Sequence, residues 1–269
     1  RMLNRLVEPT SGEVWFDGRD TADLDPVTLR RRIGFVIQGA GLLPHRTVRE
    51  NILTVPRLLG WSEERCDDNL FVMKALLWLF DDWFDIYPHE LSSGQRQRVG
   101  LARALIADPA AVLMDEPFSA LDPVTRAQIR REFRSLWTIR DKAIVMVTHD
   151  IAEAIEFSDR IAPMSPGRNE QVGTPAELLL RPRSEFVRKF FDDSRMIHEW
   201  QAVRLADLAL PADDAPDGSR STRLGVPAGL TVADAMAAIG DDAPRAGRLS
   251  AAFRQFRNSP PSPAATPGA

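Results

Sequence analysis

Residues 111–122, AVLMDEPFSALD, decide the fold of this chain, read together with LSSGQRQR at 91–98 before them and AIVMVTHD at 143–150 after them. Ala111 to Met114 and Ala143 to Val147 are short continuous apolar runs, the pattern of strands buried on both faces. Each ends abruptly in polar residues: Asp115 and Glu116 after the first, Thr148 and His149 after the second. Between them Asp122 and Pro123 supply a cap and a first-turn proline for a helix running to Trp137. Strand, helix and strand in that order predict a parallel sheet covered by helices.

Working outward, Ser92 caps a helix from about Gly94 to Ala107, with Val99, Leu101, Ala102 and Leu105 on its apolar face. Residues 47 to 85 carry apolar side chains at three-to-four spacing, which predicts a helical subdomain over about 39–107. Ile33 to Ile37 reads as another buried strand, ending at Gln38. Glu13 to Asp17 alternates polar and apolar residues before Gly18, as in a small hairpin. Met2, Leu3, Leu6 and Val7 suggest an amphipathic helix that starts without a cap in front of it, so we expect a truncated beginning. Asp150 caps a helix to Phe157, and Ile161 to Met164 reads as a strand that Pro163 and Pro166 confine to an edge or break. Beyond Asp192 the texture changes. Residues 209–222 read as linker, Leu230 to Ile239 as one helix, and 258–269 as a disordered tail.

Composition excludes some classes. Hydrophobic residues make up 44% and charged residues 27%, near the values of globular domains, so disorder is expected only locally. A net charge of −4 gives no sign of a nucleic-acid footprint, and we expect no such partner. Cys66 is the only cysteine, which rules out an intrachain disulfide and favours a reducing setting. The most apolar stretch, Leu70 to Phe80, contains Lys74 and is far shorter than the roughly 20 residues of a spanning helix.

The polar strand ends carry the chemistry. Ligands of parallel sheets bind at the carboxyl edge. There Asp115 suits Mg²⁺, held directly or through water, while Glu116 can polarise a water that attacks a γ-phosphate. Ser92, Ser93, Gly94 and Gln95 open a helix whose free N–H groups favour an anion, and Gly94 allows close approach. His149 can donate to a phosphate oxygen, and Gln38 can orient water or a hydrated metal. Taken singly, each has an ordinary structural reading as a cap, a solvated strand end or a structural histidine.

Their order and spacing resemble the ATP-binding subunit of ABC transporters over roughly Arg1 to Phe191. In that family's terms Gln38 is the Q-loop, Leu91–Gln95 the signature, Val112–Glu116 the Walker B strand with its catalytic glutamate, Ser119–Asp122 the D-loop and His149 the H-loop. The resemblance implies an α/β, P-loop NTPase-like core with a parallel sheet, a small antiparallel β part and an α-helical subdomain. It implies ATP and Mg²⁺ as cofactors, with Glu116 and His149 catalytic and Asp115 and Gln38 toward the metal. Gln38, Ser92, Ser93, Gly94, Gln95 and Asp122 would bind nucleotide. It also implies a head-to-tail second ATPase subunit, so that Ser92 and Gly94 act across the dimer. Permease subunits would dock on the helical subdomain, with a substrate-binding protein as an indirect partner and a peripheral location on the cytoplasmic face of the membrane. RMLNRLVEPTSG at 1–12, LRRRIGFVIQGAGLLPHRTVRE at 29–50 and Gly173–Pro175 are similar to importers for glycine betaine, choline, carnitine or proline.

Two departures stand out. No G-x-x-x-x-G-K-[ST] phosphate loop occurs: Gly34 to Gly39 has the glycine spacing but is followed by Ala40 and Gly41, and Lys74, Lys142 and Lys189 do not follow glycines. The core is therefore expected to lack the Walker A strand and loop, and the polypeptide to be inactive by itself. The alternative is a pseudo-ATPase with a regulatory or interaction role; a soluble ATPase of DNA repair or translation is a third class, disfavoured by the single short helical subdomain. Ser93 stands where the family has a glycine, tolerable unless the backbone there needs positive φ. The organisation expected is an ATPase domain over 1–192, a linker with a possible degraded CBS-like regulatory remnant over 193–257, and the tail.

Overall fold

The computed structural model describes residues 1–137, 142–192, 195–208, 212–214, 220–222, 226–227, 229–240 and 242–258. The chain divides into two compact units, Arg1–His149 and Asp150–Ala269.

In the first unit, strands β1 (Trp15–Phe16) and β2 (Arg19–Asp20) form the small hairpin. Its two-residue turn, Asp17 and Gly18, has φ of 53° and 73°, the double left-handed geometry that matches strand twist. Helix α1 (Pro26–Arg31), capped by Asp25, leads into strand β3 (Ile33–Val36). The helical region holds α2 (Val48–Ile52), α3 (Thr54–Leu58) and α4 (Glu63–Leu77), followed by α5 (Ser93–Leu105). Strand β4 (Ala111–Asp115), helix α6 (Pro123–Trp137) and strand β5 (Ala143–Val147) complete the unit.

The three long strands form one parallel sheet in the order β3-β4-β5. Central β4 is aligned so that Val36, Met114 and Met146 stand in one row. Its register brings the carboxyl ends of all three strands to the same edge. Val36, Val99, Leu101, Ala102, Val112, Phe118 and Ile129 are almost fully buried. Gly34 lets α5 lie directly on the sheet: a β-carbon there would sit 2.4 Å from the carbonyl oxygen of Ala104. Arg98 of α5 meets Glu132 of α6 at 3.0 Å, with side chains only 12% and 16% exposed, so the two helices share an ion pair largely withdrawn from water. On β5, Val145 and Val147 remain 47% and 59% exposed. Among the described residues β4 is the only strand that pairs with β5.

The amino-terminal stretch differs from its sequence reading. In place of an amphipathic helix there is one 3₁₀ turn, Met2–Asn4, closed by Arg5 in the left-handed region. Met2, Leu3, Leu6 and Val7 are exposed, and so short a helix does not persist without a surface to cover its apolar face.

In the second unit, α7 (Ile151–Phe157) is capped by Asp150 as expected. The strand expected over Ile161–Met164 is broken at Pro163: Ile161 makes one antiparallel bridge with Gly173, and a separate hairpin follows from β6 (Met164–Ser165) and β7 (Arg168–Asn169). Helices α8 (Pro175–Leu180) and α9 (Glu185–Phe190) close over Ile155, Val187 and Phe191. Then come α10 (Arg195–Ala202), strands β8 (Ala212–Asp214) and β9 (Arg220–Thr222), α11 (Val232–Ile239) and α12 (Ala243–Asn258). The helix expected near Leu230–Ile239 is thus joined by α10 and α12. Leu249 and Phe253, four apart among the arginines of α12, bury against Val203, Leu205, Val232 and Ala235. Beyond Asn258, the expected tail lies outside the described residues. Among the described residues no helix is long and apolar enough to cross a membrane.

Candidate functional site

Three sequence-predicted residues meet at the carboxyl edge of the sheet. Gln38 follows β3 by two residues, Glu116 follows β4 by one, and His149 follows β5 by two. Gln38 Nε2 donates to Glu116 Oε2 at 2.8 Å, and His149 Nδ1 lies 3.1 Å from Glu116 Oε1. One carboxylate thus takes a donor on each oxygen and keeps lone pairs free on both. The glutamate is 29% exposed and the histidine 73%, so the group faces solvent across the strand ends.

The backbone at Glu116 is unusual. Its φ is +44°, a left-handed conformation that costs energy for a residue with a β-carbon and collects at functional sites. Neighbours hold it there. The Glu116 amide donates to Val147 O at 2.8 Å, extending the β4–β5 ladder by one residue. Ser119 Oγ donates to Glu116 O at 3.0 Å, and Phe118, fully buried, packs edge-on against Phe133 with centroids 5.8 Å apart.

Asp115 ends β4 with its side chain exposed, outside this hydrogen-bonded trio. Among the described residues no three His, Cys, Asp or Glu side chains converge as a metal cage. A hydrated Mg²⁺ needs no such cage, since it commonly takes one or two carboxylates and completes its shell with phosphate oxygens and water. The amide of Gln38 and the carboxylates of Asp115 and Glu116 are hard oxygen donors of this kind.

Ser92–Gln95 form a separate group. The Ser92 amide donates to Gln95 Oε1 at 2.7 Å and the Gln95 amide to Ser92 Oγ at 3.2 Å, a reciprocal capping box. Ser93 occupies the first helical position and has no positive φ, so the glycine usual in the resembled family is not required there. Gly94 is required by packing: a β-carbon would lie 2.6 Å from Thr125 Cγ2 on α6. Asp122 caps α6, accepting from the amides of Val124 and Thr125 at 3.1 and 3.0 Å. Hydrogen bonds from Thr125, its hydroxyl first and then its amide, hold the Asp122 carboxyl below its ordinary pKa.

The sequence reading passed over three supporting residues. Asn51 is fully buried; its Oδ1 accepts from the Leu43 amide, and its Nδ2 donates to the carbonyls of Leu43, Arg46 and Thr47. Arg103 forks onto the carbonyls of Gly41 and Ala40. Thr125 faces Gly94. For Arg103 a signal was present, a charge set among Leu101, Ala102, Ala104 and Leu105 in a buried run.

The model of the ABC transporter family matches residues 1–119. The glycine betaine uptake system ATP-binding protein YehX of Escherichia coli is 44% identical over 236 residues, covering 88% of this chain and 75% of that protein. The chain belongs to the ABC transporter ATP-binding family. A second family member, the glycine betaine/carnitine/choline transport ATP-binding protein OpuCA of Bacillus subtilis, is 49% identical over 197 residues. That match takes in 73% of this chain, and the chain spans only 52% of OpuCA. Among solved structures the ATP-binding cassette MJ0796, described as dimeric and bound to ADP and Pi, superposes with a TM-score of 0.56 at 34% identity. The match covers 64% of this chain and 76% of that one. The α/β cassette fold expected from the motifs is therefore the fold observed.

Proposed function

We propose that this chain is part of the ATP-hydrolysing subunit of an ABC importer for osmoprotectants of the glycine betaine, choline, carnitine or proline type. The observation that carries the reading is the trio Gln38–Glu116–His149, assembled from three successive strand ends around one carboxylate. When bound, ATP with Mg²⁺ supplies the phosphoryl group that is transferred to water. Glu116 takes the proton of that water at a carboxylate oxygen. Gln38 and His149 hold the carboxylate in place, each from one side. A neutral imidazole that donates through Nδ1 has only an acceptor at Nε2, so His149 donates to a phosphate oxygen as well only as imidazolium. Asp115 and Gln38 would face the metal; Ser92, Ser93, Gly94 and Gln95 would serve the nucleotide of a second, head-to-tail subunit, with Asp122 at the same interface.

Similarity to YehX and OpuCA supports the solute class, and the dimeric cassette MJ0796 supports pairing of two such subunits. By the same reading, permease subunits contact the helical subdomain, a substrate-binding protein acts indirectly, and the subunit sits on the cytoplasmic face of the membrane. We assign residues 1–192 to the ATPase domain and 193–257 to a linker with a CBS-like remnant.

These 269 residues contain no G-x-x-x-x-G-K-[ST] loop to cradle the β- and γ-phosphates. The test compares the 269-residue polypeptide with one extended at its start by a segment carrying a G-x-x-x-x-G-K-[ST] loop. We expect no turnover from the first and Mg²⁺-dependent ATP hydrolysis from the second, reduced about 10²-fold or more by Glu116→Gln. Hydrolysis by the unextended polypeptide, or an extended one that neither binds nor hydrolyses ATP, would count against the proposal. The second outcome would favour a pseudo-ATPase.

A further inference from the structure

Helix α5 begins at the Ser92–Gly94 turn, and its second half grips the loop that follows Gln38. Gly39, Ala40 and Gly41 run consecutively through the left-handed region, with φ of 69°, 67° and 52°. The middle residue has a β-carbon, so this conformation persists only where its surroundings impose it. Two contacts impose it. Arg103 Nη1 donates to Gly41 O and Nη2 to Ala40 O, both at 2.8 Å. On the preceding turn, Gly100 leaves room for the buried Ala40 side chain, since a β-carbon on Gly100 would lie 3.0 Å from that of Ala40. The Ala40 amide donates in turn to Ile37 O at 3.0 Å, closing the turn that carries Gln38. Burial draws the Arg103 pKa below the ordinary guanidinium value.

We propose that Arg103 is a positioning residue, clamping the Gly39–Gly41 loop to α5 so that Gln38, on Glu116, and the Ser92–Gly94 turn shift as one piece. The physical path is short and continuous: the Glu116 carboxylate, the Gln38 amide, the left-handed loop, the guanidinium fork, and the rigid helix from Arg103 back to Ser92. A planar fork suits two adjacent carbonyls; a lysine ammonium on a flexible stem meets one of them well. The functional meaning of the clamp rests on the ATPase reading above. Its physical existence does not.

The test is hydrogen–deuterium exchange on the full chain, without nucleotide, following residues 37–43, 91–95 and strand β4. Arg103→Met should speed exchange at 37–43 about tenfold or more, as loss of hydrogen bonds to a charged donor implies, with β4 unchanged. Arg103→Lys should fall between Met and wild type. Gly100→Ala should loosen the same loop, and adding Ala40→Gly should restore it, because the pair removes the clash; these variants test the contact even where Arg103→Met fails to fold. Gln38→Ala should speed exchange at both 37–43 and 91–95 in the wild-type background, and only at 37–43 in the Arg103→Met background. The proposal is overturned if Arg103→Met leaves 37–43 unchanged or loosens β4 equally. It is overturned too if Ala40→Gly fails to rescue Gly100→Ala, or if 91–95 responds to Gln38→Ala regardless of Arg103. Since no arm uses ATP, a failed clamp and a failed ATPase reading give different results.

Discussion

Replacing Gly94 by alanine separates two reasons for a glycine in the signature turn, close approach of a phosphate and close packing of two helices. The added β-carbon would meet Thr125 Cγ2 at 2.6 Å, well inside van der Waals contact, with Ile129 Cδ1 next at 3.7 Å. Turning Thr125 away would move its hydroxyl from the Asp122 carboxyl, whose pKa it lowers at the cap of α6. Overpacking of this kind costs about 1–3 kcal/mol, and the better helix propensity of alanine returns at most about 1 kcal/mol. We therefore expect Gly94→Ala to destabilise the chain by about 1–2 kcal/mol. With a urea m-value of about 1–3 kcal/mol/M, the unfolding midpoint falls by roughly 0.3–2 M. Thr125→Ser deletes the offending methyl and keeps the hydroxyl. Alone it should cost about 0.8 kcal/mol or less, the worth of one buried carbon. Combined with Gly94→Ala it should cancel most of the loss, giving a coupling of about 1 kcal/mol. Equilibrium urea unfolding of the four variants measures the cycle. A Gly94→Ala protein as stable as wild type, or additive behaviour in the double variant, would refute the packing argument and leave ligand approach as the reason for the glycine.

Two further outcomes are expected. Asn51→Ala should cost about 2–4 kcal/mol in urea unfolding, since in a fully buried site the Leu43 amide and the Arg46 carbonyl lose their partner and the Leu43 and Thr47 carbonyls lose one of two donors; a loss under about 0.5 kcal/mol would show that water replaces the amide at no cost. Asp122 has a lowered pKa in the folded chain, so its contribution is present above the ordinary aspartate value of 3.8 and is lost as pH falls through the still lower folded value. Asp122→Asn should therefore flatten that acid limb in unfolding measured against pH, and an unchanged limb would contradict the assignment.

Much of the fold was legible because parallel strands announce themselves as apolar runs, although the burial on both faces expected of Ala143–Val147 is not observed, since Val145 and Val147 are exposed. Ala111–Met114 and Ala143–Val147 needed no tertiary information, nor did the caps at Ser92 and Asp150, which act within one turn of chain. The amino-terminal reading failed for the opposite reason. An apolar stripe predicts a helix only if something covers it, and Met2, Leu3, Leu6 and Val7 stay exposed. Helix α12 escaped notice because arginines surround the two residues, Leu249 and Phe253, that bury it.

The candidate site divides in the same way. Sequence alone determined which residue types stand at each strand end and in the signature turn, and that no phosphate loop lies within the 269 residues, because these are matters of order and spacing. It could not determine that Gln38, Glu116 and His149 share one carboxylate, since they lie 78 and 33 residues apart and only the β3-β4-β5 register aligns their strand ends. Nor could it show that Gly94 answers to Thr125, or that Arg103 holds the Gln38 loop. Spacing along a chain reports periodicity, while contacts between elements depend on how their faces pack, and that was decided only by the tertiary structure.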